Sequence, residues 1–292
     1  MKLILILAVC LVLSACGSVQ TKEPVVIKPA DKSKLFLQFP EEKDIQFFGK
    51  INVDGANSAS GAIMYPAYGL AGFIAGVAAH AAIQGGIDSA EEKRKAELAN
   101  QILEKYQSIL SEIDAQSVVD TGLSVRVNGK AVEVYNVGQD VDGQNIFLAE
   151  VKPAFYLTQD EKSLILINEL KFSESLIPKT KSLPLTVQYV SSPRSNDEAD
   201  DYWQADDFAN FKRVVRQSFL ASIELGMKKN VGEINIQGKP QKTIRYLESG
   251  KKKVERGYVI ASTCERIVFQ TLRGAIKSVP VHRVSAECVK PS

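Results

Sequence analysis

Hydrophobic and polar residues alternate over short stretches in the second half of the chain, a pattern that is typical of β-strands. The alternation is clearest around Asn128-Gly129, where valines occupy alternate positions on both sides of the pair. Because Asn-Gly can adopt the two positive φ angles of a type I′ turn, residues 123–137 are predicted to form a β-hairpin. Similar patterns predict strands or strand pairs over 34–40, 45–53, 145–158, 163–172, 183–190, 242–262 and 264–288.

Two other stretches repeat their apolar residues every three to four positions, as amphipathic helices do. The first covers residues 88–115 and the second covers residues 206–230. The second begins with aspartates and ends with lysines, which suits the helix dipole. Together with an Ala/Gly-rich apolar helix, these patterns predict an α+β fold in which two long amphipathic helices accompany one or more antiparallel sheets.

The Ala/Gly-rich segment, residues 67–87, carries no charged side chain, and 12 of its 21 residues are Ala or Gly. As an α-helix it would be about 31 Å long, roughly the thickness of the hydrocarbon core of a bilayer. Small residues that recur three or four positions apart let helices approach closely. They form a stripe of Gly72, Ala75, Gly76, Ala79, Ala82 and Gly86.

This segment resembles the glycine-zipper segments of several bacterial envelope lipoproteins. Three interpretations stay open for it. It could insert or oligomerise in a membrane, pack as a buried helical hairpin, or form an irregular segment. The absence of charge and the length of the segment establish only a candidate span.

The N-terminus has the pattern of a secretory signal, with Lys2 ahead of an apolar run over residues 3–13 that is too short to span a bilayer as a helix. The run ends in Leu-Ser-Ala before Cys16, which resembles the lipobox of bacterial lipoproteins. The resemblance implies cleavage before Cys16, diacylglycerol on its sulfur, and a fatty acid such as palmitate on its amine. Since Gly17 replaces the aspartate of inner-membrane lipoproteins, the resemblance implies the outer membrane. An ordinary signal with an incidental cysteine is the alternative.

These segments divide the chain into a signal peptide (1–15), a lipid anchor and tether (16–34), a region of strands and helices (35–117) and a periplasmic α+β domain (118–292). In an oxidising compartment, Cys264 and Cys288 are predicted to form a disulfide. A two-cysteine metal site is less favoured because the chain has only two histidines, and a redox pair lacks the Cys-x-x-Cys spacing.

Composition and motifs favour neither an enzyme nor a nucleic-acid-binding protein. The net charge is only +2, so no overall field attracts nucleic acid. A nucleophile elbow, a zinc-protease motif and a phosphate-binding loop are all missing from the sequence, so no catalytic residue, cofactor or metal ligand is predicted. Lysines at 251–253 form the predicted tip of a hairpin, where they suit either lipid phosphates or the protection of a strand edge.

The sequence therefore predicts a lipid-anchored envelope protein of the bacterial outer membrane, with a periplasmic body that acts as a structural or interaction component. Its expected partners are membrane lipid through acylated Cys16, and either a second copy packed through residues 67–87 or another envelope protein. The alternatives are a carrier or sensor of an apolar or cell-wall ligand, and a periplasmic hydrolase whose catalytic residues are scattered in sequence.

Overall fold

The structure, a computed structural model, describes residues 33–39, 45–50, 97–119, 122–138, 146–174, 184–194, 202–249 and 251–281. The predicted signal peptide, the lipidation site Cys16 and the tether up to residue 32 lie outside the described residues. So do Cys288 and the Ala/Gly-rich segment with its stripe of Gly72, Ala75, Gly76, Ala79, Ala82 and Gly86. The predictions for these residues stay predictions.

Within the described residues, eleven strands form one mixed sheet. The strands are β1 (Lys34–Gln38), β2 (Gln46–Lys50), β3 (Ser124–Val127), β4 (Lys130–Asn136), β5 (Ile146–Thr158), β6 (Leu164–Glu174), β7 (Leu185–Val190), β8 (Lys242–Glu248), β9 (Lys251–Ser262), β10 (Arg266–Thr271) and β11 (Ile276–Pro280). Their order across the sheet is β3-β4-β1-β5-β6-β7-β11-β10-β9-β8, and β2 also pairs with β5.

The long strand β5 organises the first half of the sheet. One side of β5 pairs antiparallel with β6, and the other side pairs in parallel with β1 and then β2. Lys34 lies beside Ile146 at the start of β5, whereas Lys50 lies beside Thr158 at its end. Strands β1 and β2 are therefore two consecutive pieces laid end to end along the same neighbour.

The helical segments of the described residues are 97–100, a 3-10 helix (Gln101–Tyr106), α1 (Gln107–Leu110), α2 (Ala115–Val118) and α3 (Ala205–Asn230). Helix α3 agrees with the helix predicted over 206–230, although its first turn has left-handed backbone at Asp206, Asp207 and Phe208. Its apolar side covers β6 and β7 and forms the main core with them. Gly226 allows close contact there, since a Cβ at this position would lie 2.1 Å from Leu170 Cδ1.

The predicted α+β fold with antiparallel sheets and two long amphipathic helices is wrong. Four pairings of the sheet are parallel, namely β1–β4, β1–β5, β2–β5 and β7–β11. The helix predicted over 88–115 is broken in its described part, which begins at residue 97. Residues Gln101–Tyr106 form a 3-10 helix, and the α-helix that follows has only four residues, so the described part is not one long α-helix.

The chain starts a new helix after this break because of a local cap. The Asp114 carboxylate accepts from the Ser117 amide at 2.8 Å, and the Ser117 hydroxyl oxygen accepts from the Asp114 amide at 2.9 Å. This capping box satisfies amides that a helix N-terminus leaves unpaired. It fixes α2 as a separate short helix.

The last four strands curl so that the free edge of β8 meets the end of β11. Tyr246 of β8 forms an antiparallel bridge with Val281, which directly follows β11. The curl encloses a second apolar cluster on the sheet face opposite α3. The buried members of this cluster are Ile165, Val190, Ile244, Tyr246, Phe269 and Val279.

Helix α3 protects the edge of the sheet at β3. The amide of Arg126 donates to the Glu224 carboxylate at 3.4 Å, and the amide of Asn128 donates to the Glu233 carboxylate at 2.5 Å. Both amides belong to the free side of β3, where an uncovered edge could pair with another chain. The residues around α3 therefore limit pairing of another strand at this edge.

Candidate functional site

A groove of about 800 Å³ lies between α3 and the residues around α2. Its walls combine apolar side chains with charged ones. The apolar lining consists of Ile113, Val118, Val215 and Leu220, and the polar lining consists of Glu112, Ser117, Lys212, Arg213, Arg216 and Gln217. A groove of this size and composition is within the usual range of small-molecule sites.

The helical repeat of α3 places two of the groove's three cations, Lys212 and Arg216, in line. Lys212, Arg216 and Leu220 are four residues apart and therefore share one stripe of the helix. The opposite wall is held by the cap of α2 at Asp114 and Ser117. Sequence reasoning did not predict this groove, although the four-residue spacing on a predicted helix was its visible sign.

The lining of the groove carries three cations and one carboxylate. Lys212 Nζ lies 3.3 Å from Glu112 Oε2, and Arg213 Nη2 donates to the Tyr202 hydroxyl at 2.7 Å. These contacts fix two cationic side chains beside the apolar lining. The arrangement suits an amphiphile with an acyl chain and an anionic head.

A second feature is a polar junction where β2, the β5–β6 turn and the end of β8 meet. Asp160 Oδ1 accepts from the Thr158 hydroxyl at 2.7 Å and from the Ser249 hydroxyl at 2.5 Å. The Ser249 amide donates to Ser163 Oγ at 3.0 Å. Ser163 is 0% exposed and Ser249 is 2% exposed, so neither hydroxyl is open to a substrate. We interpret this network as structural.

An ion pair crosses the same junction. Lys50 Nζ donates to Glu248 Oε1 at 2.7 Å. Burial by itself raises the pKa of the Glu248 carboxyl, but the charge and hydrogen bond of Lys50, together with the charges of Lys253 and Lys277, hold its pKa below the usual value. The end of β2 is thus joined electrostatically to the end of β8.

Glu161 adds a buried clamp beside the junction. It has a left-handed backbone, with φ of 53°, and its carboxylate accepts from Lys105 Nζ at 2.5 Å and from the Tyr106 hydroxyl. The indole N–H of Trp203 donates to the Glu161 carbonyl. The clamp fastens the 3-10 helix and the start of α3 to the β5–β6 turn.

Residues 51–96 leave and rejoin the described structure at this junction. The Gly49 amide donates to the Asn100 side-chain oxygen at 2.8 Å. A Cβ on Gly49 would lie 1.7 Å from the Ala99 carbonyl oxygen, so only glycine fits the close approach of these backbones. The two ends of the intervening stretch therefore lie side by side at the end of β5.

No protein-family model matches this chain. No curated protein and no solved structure matches it either. A function for the chain must therefore be argued from its own residues.

Cys264 is the one predicted site residue within the described part. It lies exposed between β9 and β10 and takes part in a disulfide bond. Because Cys288 lies outside the described residues, the pairing of these two cysteines stays a prediction.

Among the described residues no helix is long and apolar enough to cross a membrane. The same residues contain no cluster of three or more His, Cys, Asp or Glu side chains able to hold a metal ion.

Proposed function

We propose that the protein is a lipid-anchored component of the bacterial outer membrane, with a structural or interaction role. In this proposal acylated Cys16 supplies the anchor, and residues 67–87 pack against a second copy or insert in the membrane. The observation that carries the proposal is the contact of Gly49 with Ala99 and Asn100. Since both ends of 51–96 meet there, this stretch can engage a partner without breaking the sheet.

The composition of residues 67–87 supports a packed role. Five glycines in the segment would each cost about 1 kcal/mol relative to alanine in a helix interior. Close packing through the small-residue stripe would offset that cost. A partner surface within the membrane or in a second copy would provide such packing.

The first test is membrane partitioning of a Cys16→Ser variant, exported with an ordinary cleavable signal. Retention after high-salt and alkaline washing is expected if residues 67–87 form a second membrane contact. Release as a soluble monomer would contradict this part of the proposal and favour a segment buried in the fold. High salt also removes proteins held at the membrane surface by charge alone, so retention reports apolar insertion.

Self-association is tested by crosslinking the acylated protein in membranes. A Gly76→Leu substitution is expected to abolish crosslinked oligomers, because it places a large side chain in the stripe. Ala78→Leu is the matched control, since Ala78 is small but does not belong to the stripe. A wild-type protein that crosslinks neither to itself nor to another envelope protein would refute the interaction role.

The groove favours a second candidate function, the carriage of an amphiphile with one acyl chain and an anionic head. Its apolar lining and its three cations against one carboxylate support this alternative. Native mass spectrometry of the purified protein should then show a bound lipid. Leu220→Glu should abolish binding because it adds a carboxylate to the apolar lining, whereas Leu220→Met should preserve it. A groove that stays empty with fatty acid present would refute this function.

A further inference from the structure

The β8–β9 hairpin has two unlike faces, and its register determines which side chain belongs to each. One face carries three cross-strand pairs, namely Ile244 with Glu255, Tyr246 with Lys253 and Glu248 with Lys251. This face is directed toward the curled apolar cluster, which includes Ile244 and Tyr246. The alternate residues of both strands lie on the opposite face. We call this opposite set the cationic face, and it consists of Thr243, Arg245, Leu247, Lys252, Val254 and Arg256.

The cationic face carries positive charge without local neutralisation. Arg245, Lys252 and Arg256 are all exposed, and none of them forms an ion pair or a side-chain hydrogen bond with the described residues. The two carboxylates of the hairpin belong to the other face. Glu248 is paired with Lys50 and Glu255 with Lys277.

Apolar side chains lie among these cations. Val254 is 58% exposed and is the direct cross-strand neighbour of Arg245. Leu247, opposite Lys252, is partly exposed. Cations around a small apolar centre match the headgroup layer of a bilayer, where phosphates meet the first methylenes of the acyl chains.

The register shows where these charges lie in the sheet. Strand β9 pairs with β8 from Lys251 to Gly257 and with β10 from Gly257 to Ser262. Lys252, Val254 and Arg256 therefore lie on a part of β9 that pairs with β8 alone among the described strands, where charge also protects an edge. The common sign of the charges and the exposed Val254 beside them are what indicate an anionic partner.

We propose that the cationic face docks on a bilayer surface that displays anionic phosphate headgroups. The hairpin presents the face rigidly, because Ile244 and Tyr246 on its other side are 3% and 4% exposed. The proposal requires neither acylation of Cys16 nor insertion of residues 67–87. It adds a peripheral contact to the proposed anchored protein.

The length of the tether is compatible with contact on the anchoring membrane. The 17 residues from 17 to 33 can span at most about 60 Å. Strand β5, which separates the entry of the tether at Lys34 from the junction beside the hairpin tip, has 13 residues and is therefore about 40 Å long. The acylated end and the cationic face can reach one bilayer.

The test uses the full mature chain with Cys16→Ser, sedimented with vesicles. One set contains equal parts phosphatidylglycerol and phosphatidylcholine, and the other contains phosphatidylcholine alone. We expect binding to the anionic set that weakens as salt is added. A triple variant with Arg245→Gln, Lys252→Gln and Arg256→Gln should bind about 100-fold more weakly, since each cation near an anionic surface contributes about fivefold.

The control variant removes the same charge from other parts of the sheet through Arg126→Gln, Lys152→Gln and Lys171→Gln. It should bind the anionic vesicles almost as tightly as the parent, and circular dichroism should show both variants folded. Equal weakening of the two variants would overturn the proposal. So would equal binding to both vesicle sets, which would instead indicate apolar insertion by residues 67–87. Binding to a soluble phosphate polymer but not to vesicles would exclude a bilayer as the partner.

Discussion

The buried ion pair between Lys277 and Glu255 allows a quantitative test of the curled end of the sheet. Lys277 Nζ lies 2.9 Å from Glu255 Oε2, and the two side chains are only 5% and 16% exposed. Tyr246 adds a hydroxyl 3.4 Å from the same carboxylate oxygen, and the Glu248 carboxylate also experiences the charge of Lys277. Lys277→Met would leave these carboxylates without their nearest shared cation.

The loss of stability in Lys277→Met follows from two opposing energies, the attraction between the charges and the cost of their desolvation. At 2.9 Å and an effective dielectric constant of about 20, the attraction between the charges is about 6 kcal/mol. Desolvation costs several kcal/mol per buried ion, so the intact pair has a small net value. Loss of one partner removes the attraction but leaves the other ion desolvated. We therefore expect Lys277→Met to lower the free energy of unfolding by about 3 kcal/mol.

Urea denaturation of four proteins measures this prediction as a double-mutant cycle. Adding Glu255→Gln to Lys277→Met should recover about 2 kcal/mol, because the uncompensated carboxylate is then gone. The control pair is Lys171 and Glu150, which lie 3.6 Å apart with side chains 55% and 37% exposed. Lys171→Met should cost less than about 1 kcal/mol. Additive losses in the Lys277–Glu255 cycle would refute the reasoning.

Three further predictions concern pH and packing. Lys50 helps to hold the pKa of Glu248 below its usual value, against the effect of burial. This carboxylate therefore stabilises the fold at pH values above its pKa in the unfolded chain, and the stabilisation is lost as the pH falls through its pKa in the folded protein. Lys50→Met should therefore cost more stability at pH 7 than at pH 3 in urea titrations, and an equal cost at both would contradict this. Burial raises the pKa of Glu169, so its contribution to stability is present at low pH and lost as the pH rises through the folded pKa. Glu169→Gln should raise the melting temperature at pH 7 and change it less at pH 4; a lower melting temperature at pH 7 would be the contrary result. Gly49→Ala places a methyl group 1.7 Å from the Ala99 carbonyl oxygen and should cost about 1–3 kcal/mol in urea denaturation, while unchanged stability would show that the two backbones can separate.

Elements that depend on local sequence were predicted well. The hairpin around Asn128-Gly129 is confirmed, with φ of 50° and 76° at the two residues. The predicted strands at 145–158, 163–172 and 183–190 correspond to β5, β6 and β7. In each case the information lies within a few neighbouring residues, as turn geometry and alternation require.

Parallel pairing could not be predicted from the same patterns. Strand β1 pairs with β5, more than a hundred residues later, and β7 pairs with β11 across the whole of α3. Alternation identifies a strand but does not name its neighbour. The 3-10 helix was missed for a related reason, since Leu103, Tyr106 and Ile109 fit periods of both three and 3.6 residues over so short a stretch.

The candidate sites also combine features that local sequence predicts with features that depend on distant contacts. Lysines 251–253 were recognised in the sequence as a charged hairpin tip, but the register assigns only Lys252 to the cationic face. Arg245 and Arg256 join it from positions four to seven residues away. The groove likewise needs both α3 and the capped helix α2, whose contact no local pattern contains.

The topology places the proposed membrane contacts at one end of the molecule. Lys50 ends β2 beside Thr158, and its ion pair with Glu248 joins it to β8 just before the tip that carries Lys252. Lys50, the last described residue before 51–96, therefore lies beside the end of the hairpin that carries Lys252. If residues 67–87 enter a bilayer, we expect the two contacts to reinforce each other when both engage the same membrane. If high salt releases all of the Cys16→Ser protein from membranes although residues 67–87 are intact, the segment does not insert. The cationic face alone would then hold the body at the membrane.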